Sequence, residues 1–274
     1  RCLATPTGTS TNWLREHAAR GSCQMIPQDV AEFFAVNQEW LWLTTLVLDL
    51  GGTVILYRLF GKAGLQVAIA TAIILANLQG PKLTMIFGME TSLGVIFYSS
   101  IFFATDVLSE NYGKAEANKA VRMGFAVSIV VLVMLSFAML YLPSQKPGSA
   151  EFSANVHNAF ATIVNFTPKM ILGSLLAYII SQSFDVWAFH KIKSITGDRW
   201  LWMRNNLSTM SSQVLDTAIF TLVVWAPIVG IRSAFALGFA KYIFKVAIAV
   251  IDTAFIYWAK LSFLRHPPAD AQLA

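Results

Sequence analysis

The chain has 274 residues, of which 56% are hydrophobic and only 13% are charged. Water-soluble domains carry about 25% charged residues, so this composition, with its repeated apolar stretches, excludes an ordinary soluble domain and predicts a polytopic membrane protein. The net charge of +5 does not indicate a nucleic-acid-binding protein, because the basic residues lie mostly between apolar segments instead of on one solvated face.

Residues 1–39 are predicted to form a polar N-terminal tail with a short amphipathic segment near Val30–Val36. The tail contains the two cysteines, Cys2 and Cys23, which form either a disulfide or two unrelated thiols. Their spacing does not match a metal site, and we expect neither a metal nor a cofactor. Residues 40–264 are assigned to one transmembrane domain and residues 265–274 to a C-terminal tail.

Seven hydrophobic spans follow the tail, so the predicted fold class is all-α: a polytopic transmembrane helical bundle. The second span ends at Gly80–Pro81, a pair that terminates helices. The segment Ser144–Phe166 is too polar to cross the membrane, and we expect a surface loop with an amphipathic or re-entrant helix over His157–Phe166. The predicted spans are 40–60, 65–80, 92–109, 120–142, 169–190, 206–228 and 234–262.

Lysine and arginine are divided unequally between the two ends of these spans. One end, leaving aside the tail, holds only Lys82, Lys146, Lys169 and Arg232. The positive-inside rule places the richer end in the cytoplasm, which predicts an N-terminus outside and a C-terminus inside. The richer end collects Arg58, Lys62, Lys114, Lys119, Arg122, Lys191, Lys193, Arg199, Arg204, Lys260 and Arg265.

The third span ends in FFATDVLSENYG (Phe102–Gly113), which holds two carboxylates. Asp106, Glu110 and Gly113 are spaced i, i+4, i+7 and therefore share one helix face. A carboxylate at membrane depth costs about 2.5–3.5 kcal/mol on insertion scales, so it is kept only where it has a partner or a function. Asp106 is either a functional group or a helix-end acid paired with a neighbour, whereas Glu110, nearer the end, favours a structural role.

Four spans carry polar stripes at helical spacing, and their opposite charges must face one another or an aqueous cavity, since facing lipid is too costly. We interpret them as a central polar site; the alternative is a set of buried ion pairs, for instance Lys245 with Asp216, that holds the bundle together. The stripes are Ser99, Asp106 and Glu110; Tyr178, Ser181, Gln182, Asp185 and Phe189; Thr209, Gln213, Asp216 and Phe220, with Asn205 and Ser212 nearby; and Lys241, Lys245 and Asp252.

The chemistry of these side chains suits a small, polar, planar solute. Carboxylates accept hydrogen bonds from paired N–H groups, amides and lysine donate to a carbonyl oxygen, and aromatic faces stack on a flat ring. The sequence contains no G-x-x-x-x-G-K-[ST], H-E-x-x-H or G-x-S-x-G motif, so we do not expect an enzyme.

A run of motifs resembles the queuosine-precursor transporter family, also called the vitamin uptake transporter family. The D-x-x-x-E-x-Y-G-K and SQ-x-x-DT blocks are the most specific. The resemblance implies a six-helix core, to which Trp40–Phe60 adds an extra first helix. The motifs are ANLQGPK (Ala76–Lys82), ATDVLSENYGKAEANKAVRMGF (Ala104–Phe125), AYIISQSFDVWAFHKIK (Ala177–Lys193), RNNLSTMSSQVLDTAIF (Arg204–Phe220) and YIFKVAIAVIDTAFIY (Tyr242–Tyr257).

This resemblance implies import of a 7-deazaguanine base across the bacterial inner membrane: 7-cyano-7-deazaguanine, 7-aminomethyl-7-deazaguanine or queuine. The paired N1–H and amine of such a base match one carboxylate, for which we predict Asp106 or Asp185, with Asp216 next. The donor of a hydrogen bond to the ring carbonyl would be Gln182, Gln213, Asn77 or Lys245. The ring would stack on Phe102, Phe189 or Phe220. Structural or gating roles are assigned to Glu110, Arg204, Asn205, Lys241 and Asp252.

Several alternatives stay open at this point. The chain is a stand-alone transporter working by alternating access, the substrate-binding subunit of an energy-coupling-factor importer, a transporter of another small planar solute, or a membrane scaffold whose stripes are only ion pairs. The small-residue patches Gly51–Gly52 and Ala234–Gly238 allow a helix contact between subunits and equally one within a subunit; of these we favour a homodimer.

Overall fold

The structure, a computed structural model, describes residues 27–80, 82–164, 168–197 and 199–265. The tail cysteines and the residues after Arg265 lie outside this part of the chain. The described elements are α1 (Gln28–Val36), α2 (Gln38–Gln79), β1 (Leu83–Ile86), β2 (Met89–Ser92), α3 (Gly94–Asn111), α4 (Lys114–Ala138), α5 (Ala150–Val164), α6 (Pro168–Thr196), α7 (Leu201–Phe220), a π turn (Thr221–Trp225), α8 (Ala226–Val229) and α9 (Ile231–Arg265).

The all-α membrane fold is confirmed. Four helical segments among the described residues are long and apolar enough to cross a membrane: Gln38–Gln79, Lys114–Ala138, Leu201–Trp225 and Ile231–Phe263. Many large apolar side chains, such as Leu48, Leu59 and Met134, are exposed on the outer surface of the helices. An apolar surface of this extent is typical of helices that face lipid.

The predicted spans 40–60 and 65–80 are the two halves of α2, without a loop between them. The helix is interrupted at Gly61, whose φ of 57° and ψ of −135° lie in a backbone region that glycine adopts far more readily than other residues. A Cβ on Gly64 would clash with the carbonyl oxygen of Leu56, so the bend also needs a residue without a side chain there. The second half of α2 ends at Gln79, as the Gly80–Pro81 pair predicts.

A β-hairpin that the sequence did not predict joins α2 to α3. Strand β1 pairs with β2 in antiparallel register, with Leu83 opposite Ser92 and Ile86 opposite Met89. Phe87 and Gly88, at the tip, have φ values of 50° and 72°. Two consecutive positive φ values are typical of the tight turns that suit the twist of a hairpin.

The helices after the hairpin form a bundle in which α3 packs on α2, α6 on α7, and α9 on α7, α3 and α2. The first half of α2 joins the core through Leu46, Leu50 and Trp42, whose ring lies 5.6 Å from that of Phe244 on α9. The extra first helix therefore packs against the bundle core.

Two polar segments also form helices. The amphipathic segment near Val30–Val36 lies in α1, and the one expected over His157–Phe166 lies in α5, which begins earlier, at Ala150. Residues 165–167 are outside the described part of the chain.

Candidate functional site

A cavity of about 420 Å³ lies between the helix ends next to the hairpin. Because the helices alternate in direction, its walls come from the final turns of α2, α4 and α7 and the first half of α3, α6 and α9. Small-molecule sites typically measure roughly 300–1,000 Å³, so the space suits a small solute. Its polar and aromatic lining residues include Asn77, Tyr98, Tyr178, Asp216, Phe220, Trp225, Lys241 and Lys245.

Asp216 is the centre of the polar wall. Its Oδ1 accepts hydrogen bonds from the hydroxyls of Tyr98 (2.6 Å) and Ser181 (3.4 Å), and its Oδ2 is ion-paired with Nζ of Lys245. Asp216 and Lys245 are only 4% and 7% exposed. The Lys245 ammonium also lies 4.9 Å from the centre of the Tyr98 ring. The pair named as an alternative to a polar site thus exists, and it lies in the cavity wall.

An aromatic wall stands beside this pair. Nζ of Lys241 lies 4.7 Å from the centre of the Trp225 ring and 5.4 Å from that of Phe220. The Phe220 and Trp225 rings meet edge to face, with their centres 6.3 Å apart. Trp225 belongs to the π turn, a local widening of the helix that is frequent at functional sites.

Asp106 and Asp185, predicted first for substrate binding, do not line the cavity. They are 1% and 0% exposed and lie deeper in the bundle. Thr209 donates a hydrogen bond to Asp106 (3.1 Å), and Ser212 donates one to Asp185 (2.8 Å). Within the described residues neither carboxylate is ion-paired.

Two glutamines share this deeper layer. Gln182 accepts a hydrogen bond from Thr105 (3.2 Å), but its Nε2 has no partner among the described residues. Gln213 is 1% exposed, and both of its amide atoms are unpartnered in the same part of the chain. Since buried polar atoms are almost always hydrogen-bonded, such an incompletely satisfied layer is unusual for a purely structural core.

Asp252 continues the polar column toward the opposite end of the bundle. Its Oδ1 accepts a hydrogen bond from Asn205 (2.8 Å), and Asn206 on the next position donates one to Thr253 (2.6 Å). These bonds join α7 to α9 between the deeper layer and the far end.

Glu110 forms an ion-pair cluster at that far end. Arg204 donates to both of its oxygens, from Nε to Oε2 (3.1 Å) and from Nη2 to Oε1 (2.6 Å). Lys260 (2.6 Å) and Lys193 (3.2 Å) complete the cluster. Arg204 is 0% exposed, and its guanidinium lies 5.7 Å from the centre of the Phe189 ring. The cluster joins α3, α6, α7 and α9 about 18 Å from Asp216 along α7, at 1.5 Å per residue.

The structure therefore divides most of the predicted residues between three levels, and Asn205 and Asp252 lie between the second and the third. Asn77, Asp216, Phe220, Lys241 and Lys245 line the cavity. Asp106, Asp185, Gln182, Gln213 and Phe102 are packed more deeply, and Glu110, Arg204 and Phe189 lie at the far end. Within the described residues no group of three or more His, Cys, Asp or Glu side chains could hold a metal ion.

Sequence reasoning missed Tyr98 and Trp225 in the cavity wall. Tyr98 lies four residues before Phe102 on one helix face, and the two rings are 5.7 Å apart, so helical spacing could have found it. Trp225 follows Phe220 by five residues. That spacing faces the same way only in a π turn, which periodicity does not predict.

Residues 92–259 match the family described as "Putative vitamin uptake transporter". The chain is 39% identical over 220 residues to the "Probable queuosine precursor transporter" of Bacillus subtilis, covering 80% of this chain and 93% of that one. It is 26% identical over 190 residues to the "Queuosine precursor transporter" of Escherichia coli, covering 68% and 79%. No solved structure matches the chain.

Proposed function

The chain belongs to the vitamin uptake transporter family, and from this membership we propose that it imports a 7-deazaguanine precursor of queuosine through the cavity beside Asp216. The relatives from two bacteria are named as queuosine precursor transporters, which supports this substrate class. The observation that carries the proposal is the cavity itself. It joins a buried carboxylate, an amide and aromatic rings inside a membrane-embedded bundle.

The chemistry of the Asp216 carboxylate fits the donor edge of such a base. A carboxylate has about four acceptor sites, and three of them are occupied by Tyr98, Ser181 and Lys245. One remains for a ligand N–H, and the long bond from Ser181 is easily exchanged for a second. Asn77 and Lys245 would then donate hydrogen bonds to the ring carbonyl, while Phe220 would stack on the ring.

The deeper layer would form the next part of the path. Alternating access moves a ligand past a central site as one end closes and the other opens. Beside Asp106 and Asp185, the amides of Gln182 and Gln213 offer donors and acceptors that have no partner among the described residues. We therefore keep these carboxylates as substrate-binding groups for a state that opens toward the far end.

The ion-pair cluster would serve as the closed gate in this conformation. Lys193, Arg204 and Lys260 belong to the end that the positive-inside rule assigns to the cytoplasm. With this orientation the cavity faces outward, the N-terminus is outside and the C-terminus is cytoplasmic. Opening inward would require Glu110 to release at least some of its partners on α6, α7 and α9.

Uptake of labelled 7-cyano-7-deazaguanine into liposomes that contain only this protein tests the proposal. Each measurement is made with and without a pH gradient, beside liposomes that hold an Asp216→Asn variant. Uptake that needs the gradient would indicate proton coupling, and uptake without it would indicate facilitated diffusion. Tight binding without uptake would instead favour an energy-coupling-factor subunit that lacks its ATPase. If the wild-type protein shows no binding and no uptake, the proposed substrate class is refuted.

A further inference from the structure

Lys241 is the one charged side chain of the cavity wall that has neither a hydrogen bond nor an ion pair among the described residues. It lies one helical turn before Lys245 on α9, on the same face. Its ammonium lies against the rings of Phe220 and Trp225. Lys245, by contrast, is ion-paired with Asp216.

The charges of the cavity are therefore unequal. Among the described residues its charged lining side chains are Asp216, Lys241 and Lys245, which gives two cations and one carboxylate. Besides Asp216, the carboxylate of Glu90 also acts electrostatically on Lys241. Glu90 lies on the hairpin, is exposed to solvent and does not line the cavity, so water screens its charge.

A cation without an ion-pair partner restricts which ligand groups can lie against this aromatic wall. A second cation would be repelled in a half-buried space of low dielectric constant, where charges interact more strongly than in water. A carbonyl oxygen, a nitrile nitrogen or an anionic group would accept a charge-assisted hydrogen bond from the Lys241 ammonium. Phe220 and Trp225 would hold the ammonium in place while it donates.

Building on the function proposed above, we propose that Lys241 determines selectivity: it admits ligands that present a neutral or anionic hydrogen-bond acceptor to this wall and rejects ligands that present a cation there. Among 7-substituted deazaguanines, the acceptor class includes the neutral nitrile, and the rejected class includes the primary ammonium. The preference is a property of the wall formed by Lys241, Phe220 and Trp225. It is separate from recognition of the base by Asp216.

Competition binding at neutral pH with two probes tests this assignment. The probes are 7-cyano-7-deazaguanine, which is neutral, and 7-aminomethyl-7-deazaguanine, which is a cation. The wild-type protein is expected to bind the neutral probe at least about tenfold more tightly, a difference of about 1.4 kcal/mol. Lys241→Met should lower that ratio about fivefold or more, Lys241→Glu should reverse it, and Lys241→Arg should keep it.

The matched control is Arg232→Met, which removes an exposed cation from the first turn of the same helix and should leave the ratio unchanged. Thermal unfolding of each variant checks that it is folded, and Lys241→Gln replaces Lys241→Met if the latter does not fold. Equal binding of the two probes by the wild type, or a ratio unchanged in Lys241→Met, would overturn the selectivity role while leaving the proposed function intact. Binding of neither probe by the wild type would refute both.

Discussion

Removing the carboxylate of Asp216 tests the centre of the candidate site. Asp216→Asn keeps the shape of the side chain and an acceptor for the Tyr98 hydroxyl, but it leaves the Lys245 ammonium without its counterion. Both residues are less than one-tenth exposed. The variant therefore creates an unpaired cation inside the bundle.

Breaking a buried ion pair from one side costs about 3–5 kcal/mol. We expect the lower end, about 3 kcal/mol, because the pair borders a cavity that water can enter. At 2–4 °C per kcal/mol for a chain of this size, the midpoint of thermal unfolding should fall by about 6–12 °C. The Asp216→Asn/Lys245→Met double variant removes both charges and should recover to within about 1 kcal/mol of the wild type.

Thermal unfolding of the purified protein in detergent measures these values in a double-mutant cycle. The two positions should be coupled by about 2 kcal/mol or more. If the losses of the two single variants simply add in the double variant, the ion pair does not stabilise the bundle, and this reasoning is wrong.

The same cycle separates a structural ion pair from a binding site. A ligand that binds only the folded protein stabilises it by about 2.7 kcal/mol at a concentration of 100 Kd. The double variant, although folded, should lose the stabilisation that 7-cyano-7-deazaguanine gives to the wild type. If the double variant keeps that stabilisation, Asp216 and Lys245 only hold the helices together.

Three further variants test two other levels of the polar column and the bend in α2. Glu110→Gln should lower the free energy of unfolding by about 3–5 kcal/mol, because it leaves the buried guanidinium of the cluster without its counterion. The exposed control Glu151→Gln should change the free energy of unfolding little. Equal losses in the two variants would mean that the cluster does not stabilise the bundle. Asp185→Asn should reduce uptake about tenfold or more without loss of folded protein, and wild-type uptake would remove it from the path. Gly61→Ala should cost about 1–3 kcal/mol at its positive φ, unlike the helical Gly52→Ala, whose added Cβ meets nothing; a neutral Gly61→Ala would mean that the bend is not fixed there.

The membrane-spanning helices were predictable because they are long, apolar and bounded by polar segments. Two of their connections, the bend at Gly61 and the hairpin, were not. A helix break at Gly61 and a loop between two spans give the same dip in hydropathy, and only the backbone angles distinguish them. The hairpin was missed because Leu83–Ser92 combines short strands with a Phe87–Gly88 tip, a weaker turn signal than Asn-Gly.

The polar stripes predicted which helix faces meet, but not which residues line the cavity. On α7, Thr209, Gln213 and Asp216 occupy one face over about two turns, and their spacing does not show which of them lines the cavity. Only Asp216 lines the cavity, because depth along the bundle depends on where neighbouring helices end and diverge. Helical spacing fixes the direction of a side chain around its axis. Its level relative to other helices depends on loop lengths and packing, and that level separates Asp216 from the buried carboxylates below it.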